Sequence, residues 1–215
     1  MNEVISNRQD IIDCAVAMST SGLSSGRSGN VSARFEDGFL ITPSGLAYGR
    51  LSVDDIVYID ADGKSADDRR LPSSEWRFHH DIYQTYKETG GIVHCHSRHA
   101  TALACCNAEI PAFHYMVAAG GGRKIPIASY ALFGTQELSD HVVAALDGYK
   151  AALMEHHGLV ALGKDVAGAL ELAHEVEDLA AQYVLVRSLG GDQTLSDAQM
   201  DEVIERFKTY GEQES

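Results

Sequence analysis

Short strand-like runs alternate with helical segments along this chain, and that alternation constrains its fold more than any other feature. Strand-like runs occupy residues 31–35, 38–42, 53–59, 92–96 and 151–162. Helical periodicity covers residues 11–18, 73–87, 100–106, 135–146, 165–189 and 200–207. Strands in the middle of the chain, with helices at both ends and between them, predict a single layered α/β domain over residues 1–215.

Composition and charge argue against several classes of protein. The 215 residues include 17 Lys and Arg against 31 Asp and Glu, which gives a formal charge of −14. Nucleic-acid binding and attachment to an anionic membrane both need a basic face, so we expect neither partner. No apolar run approaches the roughly 20 residues of a membrane span. The first six residues lack the order of a signal peptide, and the four cysteines form no disulfide framework, so we expect a cytoplasmic protein with reduced thiols.

Two histidines, His94 and His96, stand in the short apolar run 92–96. Side chains two residues apart on a strand point to the same face, so these imidazoles would converge while Cys95 faces the other way. Neutral imidazole nitrogen binds Zn²⁺ and similar divalent ions well. The pair therefore predicts two metal ligands, although two ordinary polar residues at a strand end give the same pattern.

A metal site of this kind needs a third ligand, and the sequence offers several. His156 and His157 lie beside another apolar run, and adjacent strand residues face opposite sides, so we expect only one of them to enter the site. His99, three residues beyond His96, is a rival. Spacing alone leaves the choice open.

The segment 71–76 reads Leu-Pro-Ser-Ser-Glu-Trp, which is typical of a helix start. Free backbone N–H groups and serine hydroxyls at such a terminus bind anions, especially phosphate. Glu75 would lie in the first turn, where an acid either complements the helix dipole or takes part in chemistry. The loops 26–30 and 42–45 add hydroxyls, an amide and the guanidinium of Arg27, which also suit phosphate.

Five short segments of the chain follow one another in a distinctive order. They are Ser28-Gly29-Asn30-Val31-Ser32, Ile41-Thr42-Pro43-Ser44-Gly45, Leu71-Pro72-Ser73-Ser74-Glu75-Trp76-Arg77-Phe78-His79, Val93-His94-Cys95-His96-Ser97 and His156-His157-Gly158-Leu159. In this order they resemble the class II aldolase/adducin family, and most closely its L-fuculose-1-phosphate aldolase branch. The resemblance runs from the first helix to residues 207–211.

This resemblance implies a fold and a metal site. The fold would have three layers, with a central and mostly antiparallel β-sheet flanked by helices. His94, His96 and His157 match zinc-binding histidines, one ion per subunit, which decides between the two adjacent histidines. Glu75 matches an acid/base glutamate that can approach the metal when substrate is absent. Mn²⁺ or Co²⁺ is an alternative ion.

The resemblance also implies roles for residues that spacing alone would not single out. Tyr115 matches a tyrosine that exchanges a proton with the aldehyde oxygen. Phe133 resembles an aromatic residue of the aldehyde pocket, and Tyr210 resembles one that reaches a neighbouring subunit's site. Members of this branch are C4 homotetramers with active sites between subunits. The phosphate-binding positions would be Asn30, Ser44, Gly45, Ser73 and Ser74.

Arg27 departs from the pattern, because the fuculose enzymes usually carry a small hydroxyl residue at this position. An arginine there would add a charge-assisted contact to phosphate, close part of the pocket, or point to solvent. The departure leaves the sugar open while the chemistry is unaffected.

The implied activity is reversible cleavage of a ketose 1-phosphate, of the L-fuculose 1-phosphate type, to dihydroxyacetone phosphate and an aldehyde. Aldolases for 5-deoxyribulose or methylthioribulose 1-phosphate are close alternatives that differ only at the aldehyde end. A sugar-phosphate 4-epimerase or a dehydratase of the same family would release no dihydroxyacetone phosphate. A non-catalytic interaction module, like the adducin head, would have no reason to keep the three histidines, Glu75 and Tyr115.

Overall fold

The computed structural model of the chain describes residues 3–65 and 69–207, with side chains from residue 5 onward. The helices of these residues are α1 (Glu3–Thr20), α2 (Trp76–Thr85), α3 (Arg98–Cys105), α4 (Gln136–Ala145), α5 (Val166–Ser188) and α6 (Asp197–Phe207). The strands are β1 (Asn30–Phe35), β2 (Gly38–Ile41), β3 (Val57–Ile59), β4 (Gly91–Cys95), β5 (Ile127–Ala128), β6 (Ala151–Met154) and β7 (Gly158–Gly163).

The strands form one sheet in the order β3-β2-β1-β4-β7-β6-β5. Every neighbouring pair is antiparallel except β5 and β6, which are parallel. The expected α/β fold with a mostly antiparallel central sheet is therefore confirmed. In its register, Asn30 of β1 lies opposite His94 of β4, and His94 lies opposite Val160 of β7.

Helices cover both faces of the sheet, and side-chain alternation along β4 shows how. Val93 and Cys95 belong to the core shared with α1, α3, α5 and α6. Ile92 belongs to the opposite core, shared with α2 and α4. His94 faces this second side, where it packs edge-to-face against the ring of Phe78, with 5.6 Å between the ring centroids. The two-residue period of the strand thus turns Cys95 away from His94.

Two of the boundaries that differ from the sequence prediction lie in the segments leading to the site. The strand expected over 53–59 covers only Val57–Ile59, because Ser52 and Asp55 form a reciprocal capping box that folds Val53–Asp55 into a short 3-10 turn. The helix expected from 73 begins at Trp76, and Glu75 is its N-cap residue instead of lying in its first turn. The carboxylate is thereby placed at the junction of loop and helix.

Two glycines let backbone approach the segment that carries His94 and His96. A Cβ on Gly158 of β7 would lie 2.4 Å from the carbonyl oxygen of Cys95 and 2.9 Å from the His96 ring. Gly29 has a φ of +82°, and a Cβ there would lie 2.5 Å from the carbonyl oxygen of His94. Both contacts require glycine, and both draw neighbouring loops against the end of β4.

Among the described helices, none combines the length and apolar character needed to cross a bilayer.

Candidate metal and phosphate site

Three imidazoles converge at the end of the sheet. His94 comes from β4, His96 follows directly after that strand, and His157 lies in the turn between β6 and β7. Their ring centroids are 4.8–5.0 Å apart, and Nε2 of His94 lies 3.1 Å from Nε2 of His96. One nitrogen of each ring lies within 4.8 Å of the corresponding nitrogens of the other two rings, which is close enough for all three to bind one ion.

Hydrogen bonding turns His94 toward this cluster in a ligand-ready form. Its Nδ1 lies 2.8 Å from the carbonyl oxygen of Leu159, which can only accept. Nδ1 therefore carries a proton, and in the neutral ring Nε2 presents a lone pair to the cluster. Burial lowers the pKa of His96 to about 3, which keeps that ring neutral, whereas the pKa of His94, which burial alone would lower, is raised by the Glu75 carboxylate.

Glu75 supplies a carboxylate to the same cluster. Its Oε2 lies 3.3 Å from Nε2 of His94, and its Oε1 lies 3.1 Å from Nε2 of His157. Burial by itself raises the pKa of Glu75, but the nearby His94 and His157 outweigh it and hold that pKa below its usual range. Among the described residues, buried Oε1 has no hydrogen-bond partner. Three imidazole nitrogens and one orphaned carboxylate oxygen fit a tetrahedral divalent ion such as Zn²⁺.

The rival histidines lie outside the cluster. His156 has a φ of +56°, and this turn sends its exposed ring toward Tyr130 while His157 points inward. The ring of His99 is 2.8 Å from the carboxylate of Glu177, which also accepts its backbone N–H. A turn, not the strand alternation that the sequence suggests, separates the two adjacent histidines.

A cavity of about 420 Å³ opens beside the cluster, and the loops at residues 27–30, 43–45 and 73–75 form one part of its wall. Backbone bridging between Pro43 and Pro72 aligns two of these loops. It is reinforced by a 2.9 Å bond from the Ser44 N–H to the Leu71 carbonyl. The lining includes all the predicted phosphate-binding positions, which are Asn30, Ser44, Gly45, Ser73 and Ser74.

Arg27 also lines the cavity and ties two of its loops together. Its Nη1 donates to the carbonyl oxygen of Gly45 at 2.7 Å, across 18 residues of sequence. A guanidinium has five N–H donors, so this bond leaves others for a ligand. Arg27 is solvent-exposed and also lines the pocket.

The remaining predicted residues are distributed differently. Phe133 lines the cavity and is 61% exposed. Tyr115 begins a 3-10 segment, Tyr115–Gly120, is 50% exposed, and is not part of the cavity wall in its own chain. Tyr210 lies outside the described residues.

Sequence reasoning missed the buried polar residues Ser32, His79 and Tyr83 behind the site. Asn30 contacts both Glu75 and His79, and His79 contacts Ser32. Two periodic patterns in the sequence could have indicated them. Polar residues recur every two positions along the strand, at 30, 32 and 34, and every four positions along the helix, at 75, 79 and 83. Neither period alone indicates that the two rows meet.

Comparison with known proteins identifies the family. The model of the "Class II Aldolase and Adducin N-terminal domain" matches residues 9–184. A 5-methylthioribulose-1-phosphate/5-deoxyribulose-1-phosphate aldolase of Rhodospirillum rubrum is 49% identical, over 97% of this chain and 94% of the relative. An L-fuculose phosphate aldolase of Escherichia coli K12 is 48% identical, over 94% of each chain.

The fold agrees with this result. The solved structure of an L-fuculose 1-phosphate aldolase superposes with a TM-score of 0.91 at 35% identity, covering 94% of this chain and 96% of that one. The chain therefore belongs to the class II aldolase/adducin family and is, like these full-length relatives, an aldolase, a lyase.

The adjacent histidines provide a matched test of the cluster. Asparagine tolerates the left-handed backbone of position 156, so we compare His157→Asn with His156→Asn. We expect His157→Asn to weaken Zn²⁺ affinity about 100-fold or more, because it removes one of three nitrogen ligands, whereas His156→Asn retains one ion per chain. Competitive chelator titration with elemental analysis measures both variants.

Equal Zn²⁺ affinities for the two variants would contradict the assignment. If the unmodified protein bound no divalent ion at neutral pH, the non-catalytic interaction module would become the better account.

Proposed function

We propose that this cytoplasmic, single-domain enzyme is a Zn²⁺-dependent class II aldolase that reversibly cleaves a ketose 1-phosphate to dihydroxyacetone phosphate and an aldehyde. One observation carries the proposal: the three-histidine cluster and Glu75 adjoin a cavity walled by loops suited to phosphate. A phosphorylated ketose would place its anionic end on those loops and its reacting carbons beside the cluster.

The loops would bind and orient the phosphate. Backbone N–H groups and the hydroxyls of Ser44, Ser73 and Ser74 are suitable donors, and Arg27 adds a positive charge at the wall. Anchoring the phosphate fixes the distance from C1 to the reacting C3–C4 bond, so binding at a remote group contributes to catalysis by orientation. The overall charge of −14 repels a dianion at long range, and these local donors offset that repulsion.

The histidines His94, His96 and His157 would hold Zn²⁺, with Mn²⁺ or Co²⁺ as substitutes. When bound, the ion supplies Lewis-acid stabilisation of negative charge on the substrate oxygens. During cleavage the electron pair of the C3–C4 bond stays on the dihydroxyacetone phosphate fragment as an enediolate. Glu75, which must enter the cleavage step protonated, then gives its proton to C3 and completes dihydroxyacetone phosphate. The carboxylate that remains takes a proton from C3 in the reverse direction, or from water before the next cleavage.

Tyr115 would take the C4 hydroxyl proton as the aldehyde forms. Because Tyr115 is half-exposed and stands outside the cavity wall of its own chain, this role requires the cavity of a neighbouring chain. That arrangement agrees with a C4 homotetramer whose active sites lie between subunits, where Tyr210 would also contribute. Each site would then combine Glu75 of one chain with Tyr115 of another.

The aldehyde end remains the least determined part of the substrate. The two relatives described above carry different substrate names at nearly equal identity, 49% and 48%. Exposed aromatic residues Tyr130 and Phe133 line the cavity, and they favour an aldehyde with an apolar end. L-Fuculose, 5-deoxyribulose and methylthioribulose 1-phosphates all end in a methyl or methylthio group, so all three are candidate substrates.

A panel of ketose 1-phosphates tests the reaction and the aldehyde preference together. We expect dihydroxyacetone phosphate from L-fuculose, 5-deoxyribulose or 5-methylthioribulose 1-phosphate. D-Ribulose 1-phosphate, which differs from 5-deoxyribulose 1-phosphate only by a hydroxyl group on C5, should have a kcat/KM about tenfold lower or worse. A coupled reductase assay follows the triose phosphate. If a member of the panel were consumed without release of dihydroxyacetone phosphate, the proposed aldolase reaction would be wrong, and an epimerase or dehydratase reaction would take its place.

Mixed oligomers test whether sites are shared between chains. We expect Glu75→Gln and Tyr115→Phe each to lose about 100-fold or more in kcat, because each removes a proton-transfer group. If each site takes these residues from different chains, random co-assembly of the two variants restores about a quarter of the sites. Activity of co-expressed, doubly tagged oligomers measures the recovery.

The unmixed variants serve as controls for residual activity. A co-assembled oligomer no more active than the mean of its parents would show that Glu75 and Tyr115 act within one chain.

A further inference from the structure

Two rows of polar residues interlock behind the site. Four helix residues advance about 6 Å and two strand residues about 6.6 Å, so a helix row of period four can mesh with a strand row of period two. Here α2 packs over the sheet beside β1 in this way. The helix row consists of Glu75, His79 and Tyr83, and the strand row of Asn30, Ser32 and Arg34.

Hydrogen bonds join these rows into one chain. Nδ2 of Asn30 donates to Oε2 of Glu75 at 2.9 Å, and Oδ1 of Asn30 contacts Nε2 of His79. Nδ1 of His79 lies 2.7 Å from the hydroxyl of Ser32, which lies 2.9 Å from the hydroxyl of Tyr83. All five residues are buried, and of these only Asn30 and Glu75 line the cavity, so their groups have little opportunity to exchange partners with bulk water.

The carboxylate sets the direction of every bond in this chain. An ionised Glu75 only accepts, so the Asn30 amide must turn its nitrogen toward it and its oxygen toward His79. Nε2 of His79 must therefore carry the proton, and Nδ1 must accept from Ser32. Tyr83 then donates to Ser32. Burial lowers the pKa of His79 to about 3, which agrees with this neutral form.

Arg34 anchors the far end of the two rows. Its guanidinium lies 4.8 Å from the centre of the Tyr83 ring and donates to the carbonyl oxygens of Tyr83 and Tyr86, each at 3.0 Å. The same side chain donates to the carbonyl of Thr89 at 2.8 Å. A cation at the C-terminal end of α2 also complements the helix dipole. Helix α2 is thus held in one register on β1.

We propose that His79 is a positioning residue which, through Asn30, holds Glu75 with Oε2 occupied and Oε1 free toward the reacting carbon. Oε1 is the oxygen without a hydrogen-bond partner, and it faces His157 at 3.1 Å. Oε2 accepts from Asn30 and also lies 3.3 Å from Nε2 of His94. One carboxylate oxygen is held by the protein and the other is left for chemistry.

The need for His79 arises when Glu75 holds the transferred proton. A protonated carboxyl group can donate a hydrogen bond. If the Asn30 amide were unrestrained, it could turn over so that its oxygen accepts a hydrogen bond from a protonated Oε2. A turned amide would face Nε2–H of His79 with its own N–H groups, which places donor against donor. His79 thereby keeps the proton on Oε1, from which it passes to C3. This consequence rests on the proposed aldolase function, whereas the hydrogen-bond chain does not.

The tautomer of His79 tests the chain without any substrate or metal. Long-range ¹H–¹⁵N correlation spectra of the metal-free protein, assigned with His79→Gln, report which ring nitrogen carries the proton. We expect the neutral Nε2–H form. A neutral Nδ1–H form, or a charged ring at neutral pH, would overturn the proposed direction and with it the role of His79.

Solvent-deuterium exchange at C3 of dihydroxyacetone phosphate isolates the proton transfer of Glu75. With His79→Phe, we expect metal content to stay the same, kcat for exchange to fall about tenfold or more, and KM to change less than about threefold. His79→Gln keeps one donor for Asn30 and one acceptor for Ser32, so it should recover most of the exchange rate. His80→Phe makes the same change at the next position of α2 and serves as the control.

The outcomes separate the two proposals. Exchange by His79→Phe at the wild-type rate, or an equal loss in His79→Gln and His79→Phe, would overturn the positioning role. If His79→Phe does not fold, the Gln variant and the tautomer still decide the matter. If the unmodified, metal-loaded protein catalyses no deuterium exchange at C3, both the proposed function and the role of Glu75 in proton transfer are overturned. The hydrogen-bond chain is then tested by the tautomer of His79 alone.

Discussion

The convergence of three imidazoles on one buried carboxylate is the interaction on which the rest of the site depends. An ionised Glu75 without neutralising partners would be costly at this depth, and His94 and His157 at 3.3 and 3.1 Å provide them. The sheet register places His94 opposite Asn30, so the strand that carries a metal-ligand candidate also lies beside the strand that orients the carboxylate. The histidine cluster and Glu75 therefore share one framework.

That framework also explains how an acidic protein can suit an anionic substrate. The charge of −14 describes the whole chain, whereas the cavity wall contains Arg27, serine hydroxyls and backbone donors. An isolated β-bridge between Pro43 and Pro72 holds their two loops side by side. Arg27 connects its own loop to them through its hydrogen bond to the carbonyl oxygen of Gly45. Local donors with fixed positions act over a few ångströms, where they outweigh a diffuse and screened field.

Much of this organisation was predictable from the sequence because it depends on local periodicity. Alternation along 92–96 correctly separated His94 from Cys95, and the succession of strands and helices predicted a layered α/β fold. The ordered motifs then identified the family, which neither spacing nor composition could do. Their strength lies in order along the chain, since each loop taken alone resembles an ordinary turn. The predicted strand over 53–59 was too long because a local cap at Ser52 competes with extended backbone.

Features that depend on tertiary register were beyond the sequence. The family resemblance indicated His157 over His156, but its structural cause, a left-handed turn residue at position 156, is not described by strand alternation. The contacts of His79 require knowing that α2 lies over β1 in one particular register. The position of Tyr115 outside its own cavity wall likewise appears only once the chain is folded.

Anomalous diffraction from crystals grown with Zn²⁺, recorded on both sides of the zinc absorption edge, tests whether the three histidines bind one ion. We expect one peak per chain, about 2.0–2.1 Å from a ring nitrogen of each of His94, His96 and His157. A crystal without a peak at these histidines, or with zinc bound instead by cysteine thiolates, would contradict this assignment.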